Sequence, residues 1–129
     1  MIGLDTNVLV RYLVQDEPDQ AARATALIEG LDDEHKGYVS IVVLVELVWV
    51  LRRAYDVEPD EVHAVLDRLL RAQEVVVQHA DAVRLALRRA TSGADFPDAV
   101  IHELGAAAGC DTTVTFDVKA ARHSGMQLR

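Results

Sequence analysis

Short apolar runs alternate with longer segments of helical periodicity, and this alternation constrains the fold of the chain more than any other feature. Strand-like runs occur at residues 2–4, at the start of 38–51, at 75–77 and at 112–116. Between them, apolar residues recur at the 3.6-residue spacing of helices, as at Val62, Val65 and Leu69. This pattern is typical of an α/β fold. We expect one domain over residues 1–129, with a central parallel β-sheet of about five strands flanked by α-helices.

Prolines and short polar side chains mark where the helices begin. The patterns predict helices that start near residue 7, at 19, after 40, at 60, at 81, at 96 and at 119. Pro18 and Pro59 favour helix starts because a proline in the first turn gives up no hydrogen bond, and Ser40 is the expected N-cap of the third helix. Apolar residues at 82, 83, 86, 87 and 90 predict one buried face for the helix near 81–90.

Composition excludes several classes of protein. Apolar residues make up 50% of the sequence, which argues against disorder, and the longest apolar stretch, 38–51, is interrupted by Glu46 and too short to span a membrane. The first residues do not resemble a secretory signal. A single cysteine, Cys110, cannot form an internal disulfide, so we expect a cytoplasmic protein in which this side chain is a small buried apolar group.

The charge balance is acidic. Thirteen lysines and arginines against 21 aspartates and glutamates give a formal net charge of −8. Such a balance argues against a nucleic-acid partner, because proteins that bind polyanions usually carry a basic field. The argument weakens if several of the acids gather in one pocket to hold a cation.

Two predicted strands end in an aspartate. Asp5 follows the run at 2–4, and Asp117 follows the run at 112–116. In parallel sheets, the ligand crevice lies beyond the carboxyl ends of the strands, so these positions are expected to carry chemistry. Each aspartate has an alternative role as the N-cap of the helix that follows it.

Glu46 is the most informative single acid. Its neighbours at helical spacing, Val42, Val43, Trp49 and Val50, are all apolar. This pattern predicts a carboxylate on a buried hydrophobic face, where an unpaired charge costs several kcal/mol. A nearby cation explains the residue best. The alternative is a glutamate at the edge of a buried helix that reaches water or Arg53.

Asp95 and Asp98 flank Phe96 and Pro97 at a predicted helix start. An acid, a proline in the first turn and a second acid three residues after the first are close to a capping box. Capping can be a sufficient role for Asp95. For Asp98, inside the first turn, capping and metal ligation are equally good interpretations.

Four carboxylates therefore stand at positions suited to a metal site, and like charges gather in a fold only around a cation. No histidine pair or histidine–cysteine pair has zinc-ligand spacing. Oxygen ligands without nitrogen or sulfur select Mg²⁺ or Mn²⁺, ions that activate water in phosphodiester cleavage. The sequence predicts a metal-dependent hydrolase or phosphotransferase whose acids are Asp5, Glu46, Asp98 and Asp117.

Four segments, in order and together spanning most of the chain, resemble PIN domains, and in particular the small VapC toxins of VapBC toxin–antitoxin pairs. They are MIGLDTNVLVR at 1–11, SIVVLVELVWVL at 40–51, DFPDAVI at 95–101 and TVTFD at 113–117. The resemblance implies a parallel sheet, an endoribonuclease that depends on Mg²⁺ or Mn²⁺, a VapB-type antitoxin and pairing of two copies through helices near the site. The second and fourth helices are expected to supply the exposed apolar residues for that pairing.

The resemblance also assigns roles to residues. Asp5, Glu46, Asp98 and Asp117 match the acidic quartet, with Asp5 and Asp98 as the expected direct ligands. Asp95 matches an acid that accompanies the third position, and one acid, for which Glu46 is the candidate, handles the proton. The polar residues that match the support of the pocket are Thr6, Asn7 and Thr115.

Candidate contacts to RNA phosphates are few. Arginines suit this role because the guanidinium binds phosphate in two-pronged fashion, but each of them can equally be a solvated helix residue. The candidates are Arg11, Arg52, Arg53, Arg88 and Arg89.

Two other classes of function remain open at this point. In the first, the chain is a non-catalytic PIN-like module that binds nucleic acid or protein, and its acids only cap helices. In the second, it is a phosphotransfer domain of receiver or phosphatase type. A phosphatase with an aspartate nucleophile has a second aspartate where this chain has Asn7, and Lys119 is a weak match to the receiver lysine.

Overall fold

The computed structural model describes all residues from 1 to 129 and divides the chain into two compact units. The first unit comprises Met1–Gln78 and the second comprises His79–Arg129. No helix is long and apolar enough to cross a membrane.

The first unit has a three-stranded parallel sheet. Its strands are β1 (Ile2–Gly3), β2 (Gly37–Val39) and β3 (Val75–Val77), in the order β1-β2-β3. Four helices complete the unit: α1 (Thr6–Val14), α2 (Pro18–Glu29), α3 (Ile41–Arg53) and α4 (Pro59–Arg71). Helices separate every strand from the next, as parallel strands require.

The predicted starts of these helices are confirmed within a residue or two. Ser40 is the N-cap of α3, where its Oγ accepts a hydrogen bond from the Val43 N–H at 3.2 Å. Pro18 and Pro59 are the first residues of α2 and α4. Each helix thus begins where local chemistry satisfies or removes an otherwise free backbone N–H.

The core of the first unit is apolar and tightly buried. Helix α3 contributes Leu44, Leu47 and Leu51, all at most 2% exposed. An apolar cleft of about 570 Å³ remains between residues of α1, α2, α4 and β3, and Leu13 and Leu69 are among its lining side chains.

The second unit is built mainly from two helices, α5 (Ala80–Thr91) and α6 (Phe96–Ala107), which pack against each other. The five apolar positions predicted for one face of α5 are all buried: Ala82, Val83, Ala86, Leu87 and Ala90. A small parallel pair, β4 (Val114–Thr115) and β5 (Gln127–Leu128), follows, with the short helix α7 (Val118–His123) between its strands.

The prediction of about five strands in one central sheet is wrong. The sheet of the first unit has three strands, and β4 pairs with β5 in a separate two-stranded sheet. Backbone bonds from Gln127 to Thr113 at 2.8 Å and from Arg129 to Thr115 at 2.9 Å use the donors of β5. Strand β5 was not predicted because a two-residue segment carries no periodicity. Strand β4 is shorter than the predicted run at 112–116 because only Val114 and Thr115 pair with β5.

Cys110 is exposed, so the prediction of a buried apolar cysteine is also wrong. Helix α6 ends before it, and Gly109 turns the chain with a φ of 96°, which puts Cys110 in the turn beyond the helix. A lone apolar residue in a polar turn has no helix face to share with other apolar residues.

Candidate active site

In the first unit, Thr6 connects two of the predicted acids. Asp5 is the N-cap of α1, and its Oδ1 accepts a hydrogen bond from the Thr6 N–H at 2.9 Å. The buried Thr6 hydroxyl donates to Glu46 Oε1 at 2.7 Å. The sequence motif after β1 and the acid of α3 therefore meet through one threonine, although the two acids are 41 positions apart in sequence (46 − 5).

Glu46 is exposed, which corrects the expectation that it lies on a buried apolar face. Helix α3 buries the face that carries Leu44, Leu47 and Leu51. In this orientation Glu46 points outwards, as does Trp49, which is 59% exposed. Apolar neighbours surround Glu46 in sequence because this exposed face of α3 is itself apolar. Thr6, rather than an arginine, is the hydrogen-bond partner of the carboxylate.

Asn7 and Arg11 lie on a different side of α1. Asn7 is exposed and shares a hollow of about 290 Å³ between α1 and α2 with Arg11 and Arg23. Arg11 already donates hydrogen bonds to Gln20 at 2.8 Å and to Tyr55 at 3.3 Å. These contacts tie Arg11 to α2 and to the segment that follows α3.

In the second unit, Asp95 and Asp98 take different roles. Asp95 is the N-cap of α6, and its Oδ1 accepts a hydrogen bond from the Asp98 N–H at 3.0 Å. The side chain of Asp98 is half-buried and makes no hydrogen bond or ion pair. Capping explains Asp95 and does not explain Asp98.

Asp117 caps the helix that follows β4. Its Oδ1 accepts hydrogen bonds from the backbone N–H groups of Lys119 at 2.8 Å and Ala120 at 3.3 Å. The Thr115 hydroxyl in turn accepts a hydrogen bond from the Asp117 N–H at 3.0 Å. Both hydrogen bonds to the carboxylate use Oδ1, so Oδ2 is left for another partner.

The environment of Asp98 in the second unit disfavours its charged form. Burial raises the pKa of the Asp98 carboxyl above its ordinary value, and the negative charges of Asp95 and Asp117 raise this pKa further. No basic side chain is paired with Asp98. A carboxylate surrounded by like charge is the arrangement that a bound cation stabilises.

The arginines predicted to contact RNA phosphates differ in whether their guanidinium groups already bind another part of the protein. Arg52 donates to the Val57 carbonyl at 2.7 Å, and the guanidinium of Arg53 lies 5.6 Å from the centre of the Trp49 ring. Arg88 is exposed and makes no side-chain contact to an acid. Of these arginines, Arg88 is the freest to meet a ligand.

Arg89 belongs to a buried polar cluster that sequence reasoning missed. Its Nε donates to Glu103 Oε1 at 2.7 Å, and Glu103 is only 8% exposed. His102, which precedes Glu103 in the chain, has a buried Nδ1 without a hydrogen-bond partner, and the Oγ of Ser124 is also buried without one. The signal was present in α6, where Glu103 stands among apolar residues, as Glu46 does in α3.

The donor chemistry of the acids fits a divalent cation. No group of three or more histidine, cysteine, aspartate or glutamate side chains is arranged so that it could hold a metal ion. The predicted ligands nevertheless supply only carboxylate oxygens, which Mg²⁺ and Mn²⁺ prefer, and Asp98 is held without a counter-charge. By the type of their donor atoms, these residues therefore fit Mg²⁺ or Mn²⁺.

Acids that follow parallel strands and begin helices are typical of α/β proteins whose ligand sites lie at strand carboxyl ends. A model of the PIN domain family matches residues 2–125. The chain belongs to the PIN domain family, whose members are generally nucleases that typically use divalent metal ions. No curated protein matches the sequence.

Proposed function

We propose that this protein is a metal-dependent endoribonuclease that acts as the toxin of a toxin–antitoxin pair in the cytoplasm. The observation that carries the proposal is Asp98, a half-buried acid that no basic side chain pairs with and that lies near Asp95 and Asp117; burial and these two charges raise its pKa. Membership of the PIN domain family supports a nuclease. The resemblance to VapC toxins supports RNA as the substrate and the toxin role.

The residues proposed to hold Mg²⁺ or Mn²⁺ are Asp5 and Asp98, with Glu46, Asp117 and Asp95 in support. When bound, the ion supplies a water that is easier to deprotonate and stabilises the charge on the leaving oxygen. The role proposed for the carboxylates is to hold and orient the ion. Glu46 is the proposed proton acceptor because Thr6 holds its Oε1 and leaves Oε2 free.

The resemblance implies two protein partners, a second copy of the chain and a VapB-type antitoxin, and we propose a different surface for each. For pairing of two copies, the exposed large apolar residues on the helices of the first unit are Val42 and Trp49 on α3 and Leu27 on α2, whereas α4 has none. The pairing expected through the second and fourth helices is therefore reassigned to α2 and α3. The apolar cleft of the first unit is the proposed seat of a VapB-type antitoxin.

The Asp5→Asn variant tests the nuclease proposal. Asparagine retains the capping ability of Asp5 but lacks the charge that binds a cation, so the variant is expected to fold normally. Cleavage of total RNA by antitoxin-free protein in Mg²⁺ or Mn²⁺ is expected to fall by about 100-fold or more.

The matched control is Asp33→Asn, which removes one exposed acid from a connecting segment. Its cleavage rate is expected to equal that of the wild type, and EDTA is expected to abolish cleavage in both proteins. Full activity of Asp5→Asn, or cleavage that persists in EDTA, would contradict the site assignment.

A non-catalytic PIN-like module is the second candidate, because Asp5, Asp95 and Asp117 all serve as helix N-caps. Acids that only cap helices do not need a cation. If the module is correct, Mg²⁺ and Mn²⁺ leave the melting temperature unchanged, whereas a metal site raises it by mass action.

A further inference from the structure

Phe116 is the most exposed aromatic residue of the protein and adjoins a proposed catalytic acid. Its exposed fraction is 89%, whereas the other phenylalanine, Phe96, is 4% exposed in the core. The next residue is Asp117. A large apolar ring directed into water beside a site acid indicates a ligand that covers it.

The backbone on both sides of Phe116 is fixed. Thr115 precedes it in β4, which pairs with β5, and the Thr115 hydroxyl accepts a hydrogen bond from the Asp117 N–H at 3.0 Å. After it, Asp117 accepts hydrogen bonds from two N–H groups of α7. The ring is therefore presented from an ordered turn, which lowers the entropy cost of binding on it.

Unpaired positive charge follows Phe116 along α7. Lys119 and Arg122 are three residues apart and share one side of the helix, and both are exposed. Neither takes part in an ion pair, although the chain as a whole carries a net charge of −8. An exposed ring followed by free cations complements a ligand that has both flat apolar faces and negative charge.

We propose that Phe116 stacks on an unpaired base of the RNA substrate, with Lys119 and Arg122 facing its phosphates. The proposal rests on the proposed function and assigns a substrate-positioning residue to it. Stacking of bases on aromatic side chains tolerates any sequence, because every base offers a flat face. A base held on Phe116 brings the adjoining phosphate next to Asp117.

The test measures binding of a labelled single-stranded oligoribonucleotide of mixed sequence to the full chain. It is carried out in EDTA and, in the Asp5→Asn background, in Mg²⁺. Phe116→Leu keeps an apolar side chain without the aromatic face and is expected to weaken binding about tenfold. Phe116→Trp restores the aromatic face and is expected to restore binding.

Two controls separate stacking from general effects. Leu85 on α5 is also an exposed apolar residue, with 46% of its surface exposed. The Leu85→Ala variant is expected to bind the single strand like the wild type. The same strand annealed to its complement offers no unpaired base, so Phe116→Leu and the wild type are expected to bind the duplex equally.

Wild-type affinity in Phe116→Leu would overturn the proposal and leave an apolar protein contact as the role of the ring. A loss that Phe116→Trp does not restore, or no binding of the single strand by the wild type, would also overturn it. The proposed function is tested separately. It fails if the wild type shows no metal-dependent cleavage, whatever the ratio of the dissociation constants of Phe116→Leu and the wild type for the single strand.

Discussion

At the scale of single residues, the five acids of the proposed site divide into two groups. Asp5, Asp95 and Asp117 accept hydrogen bonds from backbone N–H groups at helix starts. Glu46 and Asp98 do not cap a helix. Because Asp98 is half-buried and lies near two like charges, the folded protein holds its charge at a cost that no capping bond offsets.

Neutralising Asp98 is expected to stabilise the metal-free protein at neutral pH. The folded-state pKa of Asp98 is raised above its ordinary value of 3.8, so the folded state binds more protons than the unfolded state between the two values. The contribution of this group to stability is therefore lost as pH rises through the raised pKa. Urea unfolding of Asp98→Asn is expected to give a higher free energy than the wild type at pH 7, and the difference should shrink towards pH 4.

Asp60→Asn is the matched control, since it removes one exposed carboxylate from the first turn of α4. Loss of a favourable charge at a helix start is expected to leave its stability unchanged or slightly lowered at pH 7. If Asp98→Asn is less stable than the wild type at neutral pH, the charge of Asp98 does not destabilise the folded protein as the prediction requires.

The comparison of Glu46 with Glu103 shows what sequence alone can decide about a residue. Both glutamates lie among apolar residues on helices, yet Glu46 is exposed and Glu103 is buried beside Arg89. Periodicity identifies an apolar helix, but α3 has more apolar residues than one buried face can hold. Which face turns inward is decided by packing partners distant in sequence.

At the scale of elements, capping chemistry made the helix starts predictable from sequence. Ser40, Pro18 and Pro59 act within one turn of themselves, so their effect does not depend on the rest of the fold. Strands β4 and β5 contain two residues each, and their pairing joins segments that carry no alternation of their own. Thr113 and Gln127 meet only because α7 returns the chain, which sequence patterns do not report.

The turn after α7 fixes the Arg89–Glu103 pair by close packing. Gly125 has a φ of 83°, and a Cβ built there would lie 2.7 Å from Arg89 Nη1 and 3.0 Å from His102 Nε2. The guanidinium cannot easily move aside, because its Nε is held by Glu103. Gly125→Ala is therefore expected to lower the free energy of unfolding by roughly 3 kcal/mol, from backbone strain and steric clash together.

Gly109→Ala isolates the backbone part of this effect. Gly109 has a φ of 96°, and nothing lies within 4 Å of a Cβ built there. Its cost is expected to be roughly 1 kcal/mol, the strain of a left-handed conformation alone. Equal losses in the two variants, measured by urea unfolding, would show that the packing against Arg89 adds nothing.

At the scale of the whole molecule, the length of the sequence predicts a single domain. A single domain of this size is expected to unfold in one cooperative transition. The fluorescence of Trp49, the only tryptophan, and the far-ultraviolet circular dichroism of all seven helices are then expected to give thermal midpoints within about 1 °C of each other. Midpoints several degrees apart would contradict the one-domain prediction.

Helix N-caps that also serve the proposed site would restrict which inactivating mutations leave the protein folded. If the protein is the toxin that we propose, cells that survive its expression are expected to carry inactivating single substitutions at any of the five acids of the proposed site. Most replacements at Asp5, Asp95 or Asp117 also remove a helix cap worth about 1 kcal/mol and lower the amount of folded protein. Escape alleles that leave abundant, full-length, inactive protein should therefore concentrate at Glu46 and Asp98, and among the capping positions at changes to asparagine.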